Sequence, residues 1–240
     1  MGYDMRWVRK ADGEEEAHEA ARVEFYAASE RRGAIPKEER GEWTKEEMAS
    51  AVAFENGRAP ANASDRYRAA HAEVDRAYQA MDRADRSYFR LNIFGMGRYC
   101  QVMADLGVLR EDYDRAEQSA YPEDVPDEYW DWDDDEPTDI EPETLARFTE
   151  IKAAIGAWQS WSPAGPVKGI PAHKFGSNDG WHVTPEEAFY AASTIRALDP
   201  QVVTKTLTAH GFTAPDRLAY WESWVQWLDD SSQHGGFKVH

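Results

Sequence analysis

The sequence predicts an α+β fold, predominantly helical, with a small, mostly antiparallel sheet and one long acidic loop. Three observations lead there. Apolar residues recur at helical intervals over long stretches, as in Tyr67, Ala70, Val74, Ala77 or Tyr78, and Met81. Short strand-like runs stand apart from them at residues 3–8, 88–94, 172–183 and 236–240. Between residues 111 and 143, sixteen acids stand against Arg115 alone, among Pro122, Pro126, Pro137 and Pro142 and with no sustained period.

In chain order, Tyr3, Met5 and Trp7 alternate with Asp4, Arg6 and Val8, the pattern of a strand with one buried face. Asp12 and Glu15 have capping-box spacing, and Ala17, Ala20, Ala21, Phe25 and Ala28 continue as a helix. Gly33, Pro36 and Gly41 break it. Thr44 and Glu47 repeat the cap ahead of a short helix carrying Met48 and Val52 and ending near Gly57. After a loop over 56–64, the amphipathic helix from Ser64 is expected to pair with the first helix as a hairpin.

Residues 88–94 are expected as a strand, which Gly95-Met96-Gly97 turns into a helix from Arg98 to the stop at Gly107. Together these elements make up 1–110 of what is expected to be one domain. The acidic loop, 111–141, contains Tyr121, Tyr129, Trp130 and Trp132, and because disordered segments are poor in aromatics, part of it is expected to dock on the body.

The remaining part, 142–240, opens with a helix over 142–158 that aligns Leu145, Phe148, Ile151, Ile155 and Trp158. Residues 170–183 are expected as a hairpin of two short strands about a Gly-Ser-Asn-Asp-Gly turn. Thr184-Pro185-Glu186-Glu187 combines a Thr cap, Pro at the first helical position and Glu at the third. Asp199-Pro200 and Ala214-Pro215 start two further helices, and the last presents Leu218, Tyr220, Trp221, Trp224, Val225, Trp227 and Leu228 for burial. A C-terminal strand over 236–240 closes the chain.

At 240 residues, with ten Trp, eleven Tyr and nine Phe, the chain can bury roughly 70% of the surface that its unfolded form exposes. The single cysteine, Cys100, excludes an intrachain disulfide and suits a reducing compartment. No apolar run approaches the ~20 residues of a membrane span. The N-terminus lacks a basic-then-apolar leader, and Arg6 occupies the place where a myristoylation signal needs Ser or Thr. A cytoplasmic location is therefore expected. The net charge of −18 argues against nonspecific binding to nucleic acid or to an anionic membrane.

Candidate chemistry concentrates in three places. If residues 173–183 alternate, Phe175, Trp181, Val183 and His173 face the core, while Lys174 and His182 face outward; Lys238 and His240 of the last strand would share that outer face. Lys174, His182, Lys238 and His240 would then form a protonatable, anion-attracting surface, with Asn178 and Asp179 at the turn and Trp181 as a stacking wall. The same residues also fit a solvated edge strand, where lysine discourages pairing.

The Gly95-Met96-Gly97-Arg98 turn is the second place. Exposed backbone N–H groups at a helix start can hold a phosphate or carboxylate, with Arg98 as a clamp, although turn packing alone also explains two glycines. The third is the acidic loop, which is either a solvated loop or a strip for a basic partner protein. Cys100, among Tyr99, Val102 and Met103, is expected to be a small buried apolar residue rather than a nucleophile.

The chain contains no P-loop, serine nucleophile elbow, HExxH or Cys/His zinc spacing, so neither cofactor nor metal is predicted. Asp131, Asp133 and Asp135 imitate the start of a calcium loop, but Glu136 stands where Gly is needed and Pro142 where Glu is needed.

Four stretches, Met1-Gly2-Tyr3-Asp4-Met5, residues 88–99, residues 174–187 and residues 234–240, resemble a family of uncharacterised proteins from actinomycetes and their phages. The resemblance carries no activity. It implies, by analogy, a counter-defence role, either sequestering a nucleotide-like signal or occluding a host protein through the acidic loop as a DNA mimic. The residues themselves favour binding of a small anionic, nucleotide-like ligand by Arg98, Lys174, Asn178, Asp179, Trp181, His182, Lys238 and His240. The alternative is a hydrolase or transferase in the same pocket, with His182 or His240 as acid/base and Asp179 orienting it.

Overall fold

The computed structural model describes residues 2–45, 59–115, 118, 120–132 and 140–240. Contacts group these residues into two units, one over Lys10–Ser87 and one formed by residues 2–9 with Tyr88–His240. The fold class is α+β, mostly helical, with a four-stranded antiparallel sheet and a two-stranded parallel pair.

The Lys10–Ser87 unit is a helix pair, α1 (Glu14–Gly33) and α2 (Asp65–Ala84), with a 3₁₀ turn at Lys37–Glu39. Ser64 caps α2 by accepting the Tyr67 N–H at 3.1 Å. The helices run antiparallel: Phe25 meets Tyr78, Ala28 packs with Val74 and Ala77, and Arg31 pairs with Glu73 at 2.7 Å. The short helix expected after Thr44, with Met48 and Val52, lies outside the described residues.

The expected Asp12–Glu15 cap is replaced by a buried carboxylate. Gly13 adopts φ 73°, α1 starts at Glu14, and Glu14 accepts the N–H groups of Ala11 at 2.8 Å and Ser87 at 2.6 Å. Burial alone would raise the Glu14 pKa, but these hydrogen bonds outweigh it and hold the carboxyl below its ordinary value. A carboxyl with a depressed folded pKa stabilises the fold above the unfolded pKa, and that stabilisation disappears as pH falls through the folded one. Glu14→Gln is thus expected to cost about 1–2 kcal/mol at neutral pH and to flatten the acid limb of stability measured by urea titration.

In the other unit the elements run β1 (Gly2–Trp7), β2 (Tyr88–Asn92), α3 (Ile93–Asp105), β3 (Leu109–Arg110), α4 (Asp127–Trp130), α5 (Pro142–Gln159) and β4 (Ile170–Pro171). A 3₁₀ turn at Ala172–Phe175 leads to β5 (Trp181–Val183), α6 (Pro185–Ala197), α7 (Pro200–Ala209), α8 (Pro215–Gln233) and β6 (Phe237–Val239). The sheet order is β2-β1-β6-β5, with Met5 opposite both Phe89 and Val239, and Val183 opposite Phe237. Of the sheet residues that the alternation sends inward, Met5, Trp7, Phe89, Leu91, Trp181, Val183, Phe237 and Val239 are buried, and Tyr3 at the start of β1 is partly buried.

They meet the apolar face of α8. Trp224 stacks on Trp227 at 5.6 Å, Phe89 lies 5.1 Å from Trp224, and Phe237 lies 4.8 Å from Trp227. Thr184 forms the full capping box that starts α6, and Glu187 closes it.

Two local expectations change. Residues 170–183 do not form a hairpin: Ile170 and Pro171 pair in parallel with Leu109 and Arg110, residues 172–175 coil, and only 181–183 joins the main sheet. Pro171 has no N–H for an antiparallel ladder, and the coil turns Lys174 inward. The 88–94 strand stops at Asn92, whose side chain caps the Gly95 N–H at 2.7 Å, so Ile93 and Phe94 already belong to α3.

In the acidic segment, Val125, Tyr129, Trp132 and Ile140 pack against Phe148, Ile151 and Ile155 of α5, so the described part of it does dock. Among the described residues, no helix is long and apolar enough to cross a membrane.

Candidate functional site

The early helix start creates a cavity. Beside the edge strand β2, a space of about 740 Å³ is lined by Arg90, Asn92, Phe94, Gly95, Arg98 and Tyr99 on one side, and by Phe212, Asp216, Arg217 and Tyr220 on the other. β2 ends in the cap that opens α3, so Arg90 and the first turn of α3 share one wall. α8 begins at Pro215, which puts Arg217 and Tyr220 on the opposite wall. The Tyr220 hydroxyl donates to the Arg90 carbonyl at 2.6 Å and fixes the two walls together.

The electrostatics of this cavity oppose those of the chain. Three guanidinium groups, those of Arg90, Arg98 and Arg217, face one carboxylate, Asp216, on a protein whose net charge is −18. Arg90 also approaches Asp4 at 3.5 Å, and Arg217 donates to the Gly211 carbonyl at 3.2 Å; Arg98 is exposed, with no carboxylate partner among the described residues. The 13-residue α3 adds the positive end of its dipole at Phe94 and Gly95. Phe94 is 81% exposed, so its ring is open to solvent at the cavity mouth.

Tyr99 supplies a polar group on the cavity floor. Its ring is locked between Phe212, Trp221 and Trp224, and its buried hydroxyl has no hydrogen-bond partner among the described residues. Burial, with Tyr220 nearby, pushes its phenol well above the ordinary value, so it is a neutral donor at any physiological pH.

The other predicted site residues do not join Arg98. His182 and Lys238 are cross-strand partners on the outer face of the sheet, as the alternation requires, and His240 is hydrogen-bonded through its backbone to Asp4 on the same face. Arg6 and Tyr88 belong to that face too, with the Arg6 guanidinium 4.5 Å above the Tyr88 ring and the Tyr88 hydroxyl donating to Asp4. Burial, then the charges of Lys238 and Arg6, hold the His240 pKa below its ordinary value, so that ring is neutral at pH 7. The His182 ring is engaged, its Nε2 lying 2.9 Å from the Gly235 carbonyl oxygen.

Lys174 is not on that face at all. It is fully buried, and its ammonium donates to Glu187 at 2.8 Å, Ser162 at 2.8 Å and the His182 carbonyl at 2.7 Å. Glu187 in turn accepts the Ser162 hydroxyl and the Thr184 N–H. The lysine therefore anchors the start of α6 to β5 rather than meeting a ligand.

Trp181 is a core residue, its indole N–H donating to Ser177 at 3.0 Å. His173 is buried too, against Tyr113, Trp161 and Trp181, and burial, with Arg115 and Lys174 nearby, pulls its pKa down to about 4.

Asn178 and Asp179 line a separate cavity with Tyr121, Trp130, Trp158 and Gln159. Among the described residues no hydrogen bond joins Asp179 to His182 or His240; its carboxylate accepts from Ser177 instead. Burial pushes the Cys100 thiol up to about 12, so it is no thiolate nucleophile. Among the described residues no group of three or more His, Cys, Asp or Glu side chains is placed to hold a metal ion.

Arg90, Arg217, Phe94 and Tyr220 escape sequence reasoning. Arg90 carried a signal, since the alternation of 88–92 sends it outward beside the candidate turn; Arg217 and Tyr220 carried none, because only the packing of α8 brings them there. No protein-family model matches the chain, and neither the curated proteins nor the solved structures contain a match to it.

Proposed function

We propose that the protein binds a small anionic, nucleotide-like ligand in the cavity between β2, the start of α3 and α8. The observation that carries this reading is that Arg90, Arg98 and Arg217 line one cavity together with the first turn of α3. Guanidinium groups and free helical N–H donors are the two devices that proteins use for phosphate and carboxylate. Phe94 and Tyr220 offer ring faces for a base, and the volume falls within the range of small-molecule sites.

Another cleft, of about 470 Å³ between α6, α7 and α8, is lined mainly by Leu, Val and Trp. Its arginine, Arg196, is already bound to Asp229 and Gln226, so it offers no comparable charge. The acid/base alternative has less support, since Asp179 orients neither histidine.

Thermal shift against a panel of mono-, di- and cyclic nucleotides tests the reading. A ligand at a hundred times its Kd is expected to stabilise the protein by about 2.7 kcal/mol. Arg98→Glu is expected to weaken that ligand at least about tenfold without lowering the Tm of the free protein, and the corresponding nucleoside to bind far more weakly. Equal stabilisation by nucleoside and nucleotide, or none by the whole panel, overturns it.

A further inference from the structure

The cavity that holds Asn178 and Asp179 has the opposite chemistry from the arginine site. About 500 Å³ in volume, it is lined by Tyr121, Trp130, Ile155 and Trp158 together with Gln159, Asn178 and Asp179, and no Lys or Arg among the described residues lines it. Tyr121 and Trp158 stand nearly perpendicular, at 81° with ring centroids 5.1 Å apart, in an edge-to-face contact, so two aromatic walls of the cavity meet at a corner. Trp158 is braced from behind by Trp181 at 4.0 Å. Trp130 makes the outer wall and is 61% exposed, although tryptophan is the costliest side chain to leave in water.

The polar groups decide what such a corner favours. Gln159 spends an amide N–H on the Asp179 carbonyl at 2.6 Å, and Asn178 spends one on the Gly2 carbonyl at 2.8 Å. What the two carboxamides and Asp179 turn toward a ligand is therefore weighted to acceptors: amide oxygens and a carboxylate. An anion needs cations, and this lining supplies none among the described residues. A divalent metal would need more oxygen ligands than the lining brings together.

Asp127 and Glu128 precede Trp130 on α4, and Asp131 follows it, so the local potential is negative as well. Burial and the charge of Asp179 push the Tyr121 phenol up, which agrees with a carboxylate close to that ring. A soft cation with bulky alkyl groups matches all of this: its positive charge meets the ring faces and Asp179, and its low hydration makes it easy to strip of water.

We infer that the groove between Tyr121, Trp130, Trp158 and Asp179 is a binding site for an alkylated ammonium group. The site is independent of the arginine cavity, and either can fail without the other. The cation can reach it as a free small molecule or as a trimethylated lysine side chain, and the shared trimethylammonium head is what the groove recognises.

Isothermal titration calorimetry on the full chain tests this with three probes: choline, its uncharged carbon isostere 3,3-dimethylbutan-1-ol, and Nα-acetyl-trimethyllysine amide. At least one of the two cations is expected to bind about tenfold or more tightly than the isostere, which has the same shape but no charge. The preference between choline and the lysine derivative assigns the source.

Trp130→Ala, which removes an exposed ring and is expected to leave the Tm unchanged, should weaken the cation about tenfold or more, and Asp179→Asn about threefold or more. The indole N–H signals of Trp130 and Trp158 are expected to shift with the same saturation curve. The inference is overturned if the isostere binds as tightly as the cations, if neither cation binds below about 50 mM, or if Trp130→Ala leaves binding unchanged.

Discussion

Lys174→Ala is expected to destabilise the Tyr88–His240 part of the chain by about 3–5 kcal/mol, because it strands the buried Glu187 carboxylate without its counter-ion. For a chain of this length that corresponds to a fall in Tm of roughly 6–20 °C. The pair is 2.8 Å apart, with side chains 0% and 3% exposed, so almost no water is present to take over. The double variant Lys174→Met with Glu187→Gln is expected to recover most of the loss, since it removes both charges and Gln can still close the capping box at Thr184. Calorimetry of the three proteins decides the matter: a loss below about 1 kcal/mol for the single variant would mean that water reaches the pair.

Gly236→Ala is the second large effect. Gly236 adopts φ +79°, and a Cβ there would collide with the Val183 carbonyl oxygen and stand 3.0 Å from the Thr184 carbonyl carbon, both of them backbone atoms that cannot rotate away. The expected cost is about 3 kcal/mol or more, appearing as a loss of soluble folded protein or a much lower midpoint in urea. Gly235→Ala is the control. Its φ is +85°, but its Cβ would meet the Val8 Cβ at 3.3 Å, a contact that a shift of a few tenths of an ångström relieves, so mainly the conformational part remains, about 1 kcal/mol. Equal losses at the two positions would show that the backbone collision is relieved elsewhere.

The contrast between these two sites shows what the sequence could disclose. A period of two assigned His182 and Lys238 to one face and Trp181, Val183, Phe237 and Val239 to the other, because sheet geometry alone sets those directions. The Thr184 cap was legible for the same reason, since all its partners lie within one turn. Lys174 was misplaced because the alternation was carried across residues that coil, and what turns them inward, Glu187 and Ser162, lies 13 and 12 residues away.

The candidate cavity divides in the same way. Arg98 and a helix following residues 88–94 were readable from local pattern, although the helix starts at Ile93 rather than near Arg98, because Asn92 is the cap. Arg217 and Tyr220 reach the site only through the packing of the Trp-rich face of α8 on the sheet, which no local period encodes.

The pairing of β1 with β6 sets the timetable of folding. β1 can pair with β2 once Phe89 is made, but its other edge finds Phe237 and Val239 only at the end of synthesis, and at about 5–20 residues per second that edge waits for roughly 10–50 s. During that interval Trp7, whose sheet partner is Phe237, lacks its strand neighbour in the nascent chain, a natural target for a holding chaperone. The α1–α2 pair, whose contacts span far shorter separations, can close while synthesis continues.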